Sequence, residues 1–487
     1  MNPYDLFKRL KLKTIIGTLP PSVDHIEVDS REVKQNSVFF CIKGHTTDGH
    51  DYAQLAVNNG ATVIVAEKNL DIDMDKATLV IVNSSSRALA FAANQFYNFP
   101  SNEMNVFGVT GTNGKTSVTN LIHQLIKRGG ESSALSGTIG FDLDGTLYES
   151  ANTTSDIITT QRMLVQAREA NVKNMTFEVS SHGLVEGRLW GVDFDVVTFT
   201  NLSHDHLDFH GTMEHYGYAK GLLFSQLGQD LSKQKYAVLN LDDDWFDTYS
   251  SMTPFEVISY SMERDADFSA KNIQYLDNRT LFQLESPEGT FQLETQLLGT
   301  FNVSNVLAAI ATLYAKGESV ASLVERLKDI PPISGRMERV HTEAPLSIYV
   351  DYAHTPDAIE KAIQSVMPFK KNRVLFLVGT GGNRDKSKRP TMAEKASLAD
   401  YVVLTTDDPR YESYDSIIND LGQGMKHENY ALIGDREEAV RHLMSIAEPD
   451  DIIIFAGKGH EDYQIIENTK YPHSDRNIAL DVIAQRF

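Results

Sequence analysis

The run Gly111-Thr-Asn-Gly-Lys-Thr-Ser117 holds the residue types that most directly imply chemistry. Glycines let a backbone turn tightly enough for its N–H groups to face a phosphate. A helix opening at the same point adds the positive end of its dipole. Lys115 can then neutralise charge on the β- and γ-phosphates of a nucleotide, and the Thr116 hydroxyl can ligate Mg²⁺. The spacing is a variant of G-x-x-x-x-G-K-[ST]: Val109 stands where the first glycine belongs, and Gly108 is one residue early. A glycine-rich turn with a solvated lysine is the plainer alternative, and a strand before and a helix after the turn argue against it. Gly111, Thr112, Asn113, Gly114, Lys115, Thr116 and Ser117 are therefore the candidate nucleotide-binding residues.

A second concentration of chemistry follows. Glu178 stands near the end of an apolar run, at the sheet edge where α/β ligands bind. The segment 198–210 then supplies His204, Asp205, His206, Asp208 and His210. Three histidines invite a zinc reading, but there is no nearby cysteine and no H-E-x-x-H helix. Mg²⁺ held by one or two protein ligands together with nucleotide phosphates fits the residue types better.

These groups need a scaffold, and the apolar pattern supplies one. Short apolar runs alternate with helical patterns almost throughout, which predicts parallel α/β architecture. The runs fall at 37–42, 61–66, 78–82, 105–110, 175–179, 194–199 and 236–239. Residues 281–285 and 291–294 flank Ser286-Pro-Glu-Gly289 and predict a β-hairpin. A second doubly wound pattern runs through 347–350, 374–378, 401–404 and 452–455. Polar, proline-containing connections near 98–103 and 330–335 divide the chain into segments 1–100, 101–334 and 335–487.

Composition narrows the class. The 487 residues suffice for two to four domains, with 41% hydrophobic and 23% charged residues, as in ordinary globular proteins. A formal charge of -21 argues against non-specific nucleic-acid binding. It does not forbid an anionic substrate, because a local basic cluster outweighs distant charge within a Debye length. Cys41 is the single cysteine and reads as a buried apolar residue, so no disulfide framework exists within the chain. The N-terminal residues lack a basic-then-apolar leader and no run of about 18 apolar residues occurs, so a cytoplasmic location is expected.

The ordered set of motifs resembles the Mur ligase family, within it the MurE type. The matching residues are Asp29-Ser-Arg31, Gly111–Ser117, Asn152-Thr-Thr154, Glu178-Val-Ser-Ser-His-Gly183, Asp205-His-Leu-Asp208 and Tyr218-Ala-Lys220. They continue with Gly299-Thr-Phe-Asn-Val-Ser-Asn305, Gly335-Arg336, Asp351-Tyr-Ala-His354, Lys388-Arg-Pro390 and Gly457-Lys-Gly-His-Glu461. The resemblance implies three domains: a UDP-substrate-binding domain, a central P-loop ATPase domain with a mostly parallel sheet, and a C-terminal Rossmann-like domain for the amino acid. It implies an ATP- and Mg²⁺-dependent amide ligase that adds a diamino acid to UDP-MurNAc-L-Ala-D-Glu through an acyl phosphate. Such an enzyme serves peptidoglycan precursor synthesis and, through it, cell shape and division.

The resemblance also assigns roles. Lys115 and Thr116 would hold ATP and Mg²⁺, with Glu178 and His206 as metal ligands or metal-orienting groups. Lys220 would carry a carbamate (N6-carboxylysine) that supports a second Mg²⁺; without the resemblance it reads as a salt-bridged surface lysine. Asn302, Asn305, Arg336 and Asp351 would complete the nucleotide site. Ser30, Asn152, Thr153, Thr154, Ser180 and Arg188 would contact the UDP-muramoyl peptide, while Glu186 has no assigned role. Arg389, Asp407, Asp408, Pro409, Arg410, Gly457 and Glu461 would read the amino acid. Enzymes adding meso-diaminopimelate typically show Asp-Asn-Pro-Arg where this chain has Asp407-Asp-Pro-Arg410. Arg410 favours diaminopimelate, through a bidentate contact to its distal carboxylate. Asp408 suits a cationic tail and keeps L-lysine open. Two other readings stand beside this one: a folylpolyglutamate-synthase-like ligase, which normally lacks the N-terminal UDP-binding domain, and a P-loop switch without ligase chemistry.

Overall fold

The computed structural model describes all residues except His45, Thr46, Ala151, Asp277 and Phe487. The chain separates into two compact units, Met1–Phe107 with Glu131–Asp195, and Gly108–Gly130 with Val196–Phe487.

In the first unit, a five-stranded sheet has the order Lys13–Ile16, Thr78–Val82, Ala61–Ala66, Ser37–Phe40, His25–Glu27. Its first pair is antiparallel and the others are parallel. The continuous apolar runs at 37–40 and 61–66 follow from burial on both faces. Val38, Phe40, Val63, Val65, Val80 and Val82 pack on one side with the helix Ser85–Phe96. Phe39, Cys41, Ile64, Ala66 and Leu79 pack on the other with the helix Ala53–Asn58. Burial pushes the Cys41 thiol up to about 12, so it is an inert apolar filler. The same unit holds Asn174–Glu178 parallel to Ser133–Gly137, followed by antiparallel Gly140–Leu143 and Thr146–Tyr148.

In the second unit, Val196–Phe199, Tyr236–Asn240, Glu256–Ser261 and Phe268–Leu276 are successive parallel neighbours. Arg279–Ser286 and Gly289–Thr295 extend them as the expected hairpin. A six-stranded sheet follows, in the order Glu338–Val340, Ser347–Asp351, Ile452–Ala456, Val374–Thr380, Tyr401–Thr406, Tyr430–Leu432. All but its first pair are parallel. The C-terminal ends of its four central strands therefore lie along one edge and carry Asp351, Thr380, Thr406 and Ala456, each followed by a loop.

One buried ion pair ties that sheet to the terminal helix Asp475–Arg486. Arg436 is fully buried and gives Nε and Nη2 to the Asp475 carboxylate at 3.0 and 2.7 Å, with a further bond to the Ala456 carbonyl at 2.8 Å. Arg436→Ala leaves the buried Asp475 carboxylate with His473 Nε2, at 2.8 Å, in place of the guanidinium fork and should cost roughly 3 kcal/mol. Chemical denaturation of the variant checks this, and a loss below about 1 kcal/mol, the level of an exposed pair, would show that the pair anchors nothing.

Candidate active site

The strand Asn105–Thr110 delivers the chain to Gly111, and the helix Lys115–Arg128 begins four residues later. Both glycines are forced. A Cβ on Gly111 would sit 1.8 Å from Thr200 Oγ1, and one on Gly114, at φ +87°, would sit 2.5 Å from Asn305 Oδ1. Thr200 Oγ1 donates to the Asn113 carbonyl at 2.6 Å, and Asn201 Oδ1 accepts from Asn113 N at 3.0 Å, so the loop is fixed from the neighbouring strand end.

Two lysines converge on one carbonyl here. Lys115 Nζ donates to the carbonyls of Gly111 and Thr112 at 3.0 and 2.9 Å. Lys220, from the helix Met213–Ser225, donates to the same Gly111 carbonyl at 2.7 Å. Lys220 is 1% exposed, and its Nζ lies 4.4 Å from the centre of the Tyr216 ring. Burial, then the nearby Lys115 charge, push its amine well below the usual lysine range, and Asp205 opposes them only in part. The surface-lysine reading is thereby excluded.

Beside the loop, Arg336 Nη2 donates to Thr116 Oγ1 at 2.7 Å and the guanidinium lies over the Tyr352 ring at 4.6 Å. Asp351 accepts from Met337 N and Ala353 N, both at 2.7 Å, fixing the segment that carries Arg336. Its burial raises its carboxyl above the usual range, against the pull of Arg336. Asn305 Nδ2 donates to Asn302 Oδ1 at 3.2 Å, and Asn302 Nδ2 to the Leu298 carbonyl at 2.8 Å. The six residues Lys115, Thr116, Asn302, Asn305, Arg336 and Asp351 thus fall in one unit, with cations against a helix N-terminus.

The histidine-rich segment does not close on itself. His204 points to Asp385 at 3.5 Å, His206 to Asp205 at 3.4 Å, and His210 packs on Tyr216 with ring centres 5.0 Å apart. Among the described residues, the one cluster with metal-ligand spacing is Asp407, Asp408 and Glu461, which contains no histidine. His206 is left-handed at φ +54°, and its side chain is 45% exposed, close to the 42% of His204. Asp205 accepts from Lys388 Nζ at 3.0 Å; burial alone would raise its carboxyl, but Lys388 and the neighbouring histidines hold it well below the usual range.

The amino-acid candidates sit on the loops after Tyr401–Thr406 and Ile452–Ala456. Lys458 is 1% exposed, with Nζ 2.6 Å from Glu461, 2.9 Å from Asp408 and 3.6 Å from Asp407. Three carboxylates thus surround one ammonium, and the guanidiniums of Arg384 and Arg436 act on Asp408 from nearby. Asp408 also accepts from Ile465 N at 2.9 Å, so it is tied to Lys458 and the Tyr463–Ile466 strand instead of pairing with Arg410. Arg410 is half-buried at φ +51° and is held by backbone bonds to Ile465 and Glu467. Gly457, at φ +108°, donates its N–H to the Asp351 carbonyl, and Pro409 is buried where its carbonyl would block any Cβ on Gly382.

Arg389 differs from its expected place. It is fully buried and committed to Glu412 at 2.8 and 2.9 Å, Asp420 at 2.9 Å and the Gly381 carbonyl at 3.2 Å. It braces the Asp407–Arg410 loop from behind and has no free face for an amino acid. The guanidinium that accompanies Arg410 is Arg384, which the sequence reading missed. Burial and then the Arg410 charge weaken its hold on its proton, and Asp208 and Asp408 are its acidic neighbours. The signal was available: Arg384 lies in the glycine-rich loop directly after a buried strand, Val374–Thr380.

In the first unit, Thr154 Oγ1 donates to the Glu178 carbonyl at 2.8 Å and accepts from Ser180 N at 2.9 Å. Thr153 Oγ1 meets Thr138 Oγ1 at 2.9 Å, and Glu178 Oε2 accepts from Thr138 N at 2.9 Å. Ser180 caps the short helix Ser181–Val185 through Gly183 N at 3.1 Å. Arg188 donates to the Thr154 carbonyl and to Glu186, each at 2.7 Å, so Glu186 orients Arg188. Asn152 is exposed beside this cluster. Ser30 is buried on the loop after His25–Glu27, where Asp29 and Arg31 form a bidentate pair at 2.6–3.1 Å.

Three family models match the chain: Mur ligase family, catalytic domain, over residues 22–97; Mur ligase middle domain over 109–313; and Mur ligase, glutamate ligase domain, over 335–459. The chain is 50% identical to a UDP-N-acetylmuramyl-tripeptide synthetase 2 of Oceanobacillus iheyensis, covering 100% of this chain and 99% of that one. It is 43% identical to a UDP-N-acetylmuramoyl-L-alanyl-D-glutamate--L-lysine ligase of Staphylococcus epidermidis, again over 100% and 99%. A solved UDP-N-acetylmuramoyl-L-alanyl-D-glutamate--2,6-diaminopimelate ligase superposes with a TM-score of 0.68 at 31% identity over 97% of both chains. The three-domain α/β architecture and the phosphate loop define an ATP-dependent amide ligase, and the chain belongs to the Mur ligase family. Within it the chain is of the MurE type, adding a diamino acid to the UDP-MurNAc-dipeptide in peptidoglycan precursor synthesis.

The bracing of the amino-acid loop has a pH signature. Hydrogen bonds from Arg389, with help from Lys386, hold the Glu412 carboxyl well below the usual carboxylate range despite its burial. A depressed folded pKa contributes stability that is present above the unfolded value, about 4.3, and fades as pH falls towards the folded value. Glu412→Gln should therefore lower stability by roughly 3 kcal/mol at neutral pH. The gap to the unsubstituted protein should narrow steadily below about pH 4. Denaturant titrations across that range measure it; a gap that stays constant with pH would remove the charge from the explanation.

Proposed function

We propose that the chain adds L-lysine, using ATP and Mg²⁺ in the cytoplasm, and that meso-diaminopimelate is the poorer substrate. Asp408 carries this reading: it stands where diaminopimelate-adding relatives typically have asparagine, and it helps give the corner around Lys458 more carboxylates than ammonium groups. An ε-ammonium would share these carboxylates with Lys458, while Arg384 and Arg410 provide for a carboxylate. The full-length likeness at 43% to a protein named as an L-lysine ligase supports the same choice. Arg410 is the feature that keeps diaminopimelate open, since its second carboxylate would also find a guanidinium.

The proposed chemistry begins when a D-Glu carboxylate oxygen attacks the ATP γ-phosphorus and ADP leaves. The α-amine of the incoming amino acid attacks the acyl phosphate, phosphate departs, and the amine loses a proton. Lys115 and Arg336 neutralise charge on the transferring group. Ser30, Asn152, Thr153, Thr154, Ser180 and Arg188 position the UDP-muramoyl dipeptide, and Asn302, Asn305 and Asp351 shape the nucleotide site. The hydroxyl of Thr116 and the imidazole of His206, and in the first unit the carboxylate of Glu178, are donor types that suit Mg²⁺, which would supply charge neutralisation when bound.

Lys220 completes the set as a carbamate. Its buried amine, disfavoured as a cation beside Lys115, adds through its lone pair to the carbon of CO₂ and releases a proton, giving an anion that would help hold a second metal ion. Lys220→Ala should lower kcat/KM about a thousandfold or more, a loss of about 4 kcal/mol of transition-state stabilisation. Short carboxylates should restore part of it. Carbon-13 NMR of the protein in labelled bicarbonate reads the carbamate directly, and its absence at saturating bicarbonate and Mg²⁺ would overturn the modification.

For the amino acid, kcat/KM with L-lysine should exceed that with meso-diaminopimelate at least about tenfold, and Asp408→Asn should shrink the ratio, since one lost contact is worth about 1–3 kcal/mol. Arg384→Ala should impair both substrates. A preference for diaminopimelate in the unsubstituted enzyme would reverse the assignment.

A further inference from the structure

The first unit carries a cavity of about 330 Å³ whose lining shares no residue with the substrate candidates. It is formed by Ala90, Phe91 and Asn94 of the helix Ser85–Phe96, by Phe99, and by Trp190 and Gly191, with Arg9 and Arg87 at its rim. Four observations bear on it. Its walls are aromatic, and Phe91 remains 46% exposed although the other apolar residues of its helix are buried or, for Phe96, partly buried. Phe99 is held at φ +49° and ψ 56°, a left-handed conformation that a bulky side chain adopts only under constraint. Its ring faces Arg9, whose guanidinium carbon is 5.9 Å from the ring centre. Finally, neither Arg9 nor Arg87 has a side-chain hydrogen bond or ion pair among the described residues. In a chain with a formal charge of -21, two guanidiniums left without acidic partners at the mouth of one apolar cavity are a selective feature.

The floor is already satisfied. Asn94 donates to the carbonyls of Ala90 and Trp190 at 2.9 and 3.3 Å and accepts from Gln161 at 3.3 Å. Gly191 admits no side chain, since a Cβ would fall 1.7 Å from Asn94 Nδ2. An occupant therefore gains from burying apolar surface against Phe91, Phe99 and Trp190, and from charge at the rim, with no demand for a polar group at its buried end. We infer that this cavity is a binding site for a small amphipathic anion: a flat aromatic body carrying one carboxylate, sulfonate or phosphate. The volume lies at the lower end of ordinary ligand pockets, which fits one or two fused rings.

Anilinonaphthalene sulfonate is the probe, and its uncharged parent phenylnaphthylamine is the control. Titrated into the full chain, the sulfonate should saturate one site, and the uncharged amine should bind about tenfold more weakly or worse. The double variant Arg9→Gln/Arg87→Gln should weaken sulfonate binding about tenfold and flatten its salt dependence. Both side chains are exposed, so ligation of the UDP-dipeptide should stay at its basal rate, which also reports that the variant is folded. Phe91→Ala, at another exposed position, should weaken both probes together. Equal affinity for the two probes, binding unaltered by the double variant, or displacement of the sulfonate by the UDP-dipeptide would each overturn the site.

Discussion

Two amines share one carbonyl oxygen, and much of the centre follows from that. Gly111 offers its carbonyl to Lys115 at 3.0 Å and to Lys220 at 2.7 Å. Two ammonium groups so close, one of them almost wholly removed from water, repel strongly in a medium of low effective dielectric. The cheaper arrangement leaves the exposed-side lysine charged and the buried one neutral. A neutral buried amine is a nucleophile, whereas a charged one is only a counter-ion. The loop thus gives two residues of identical type different charge preferences by position alone.

That separation depends on parts far apart in the sequence. The carbonyl points as it does because Gly111 and Gly114 let the backbone pass close to Thr200 and Asn305. The buried lysine is placed by a helix more than a hundred residues downstream, and Arg336 reaches Thr116 from the last third of the chain. Asp205 links the same region to Lys388. Each is a single bond, but all bind groups that are buried or half-buried, where an unpaired partner is costly.

The sequence made the parallel core legible because strands buried on both faces are written as unbroken apolar runs, as at 61–66, 374–380 and 452–456. Some of the other strands were harder to see. Thr146–Tyr148 is three residues long and exposed along its whole length, so no burial pattern marks it as a strand, and Phe268–Leu276 changes from continuous burial to alternation midway. Site residues fixed by local geometry, such as Lys115, could be found from spacing. Arg389 and Arg384 could not be told apart that way, because both are arginines in one basic stretch and differ only in what stands opposite them: Glu412 and Asp420 for the first, Arg410 for the second. The cluster of histidines misled for a related reason. Adjacency in sequence says nothing about convergence: His204 faces Asp385, while His206 and His210 lie against the Tyr216 ring.

The two crowded glycines also bear on how such an enzyme could be inhibited. A compound that leans on the bare backbone at Gly111 and Gly114 meets a surface with no side chain to exchange. Any replacement there must first displace Thr200 or Asn305. Escape from such a compound would have to come from a distance, by reshaping a neighbouring strand end or helix, and would damage the loop's own turnover before it loosened the inhibitor.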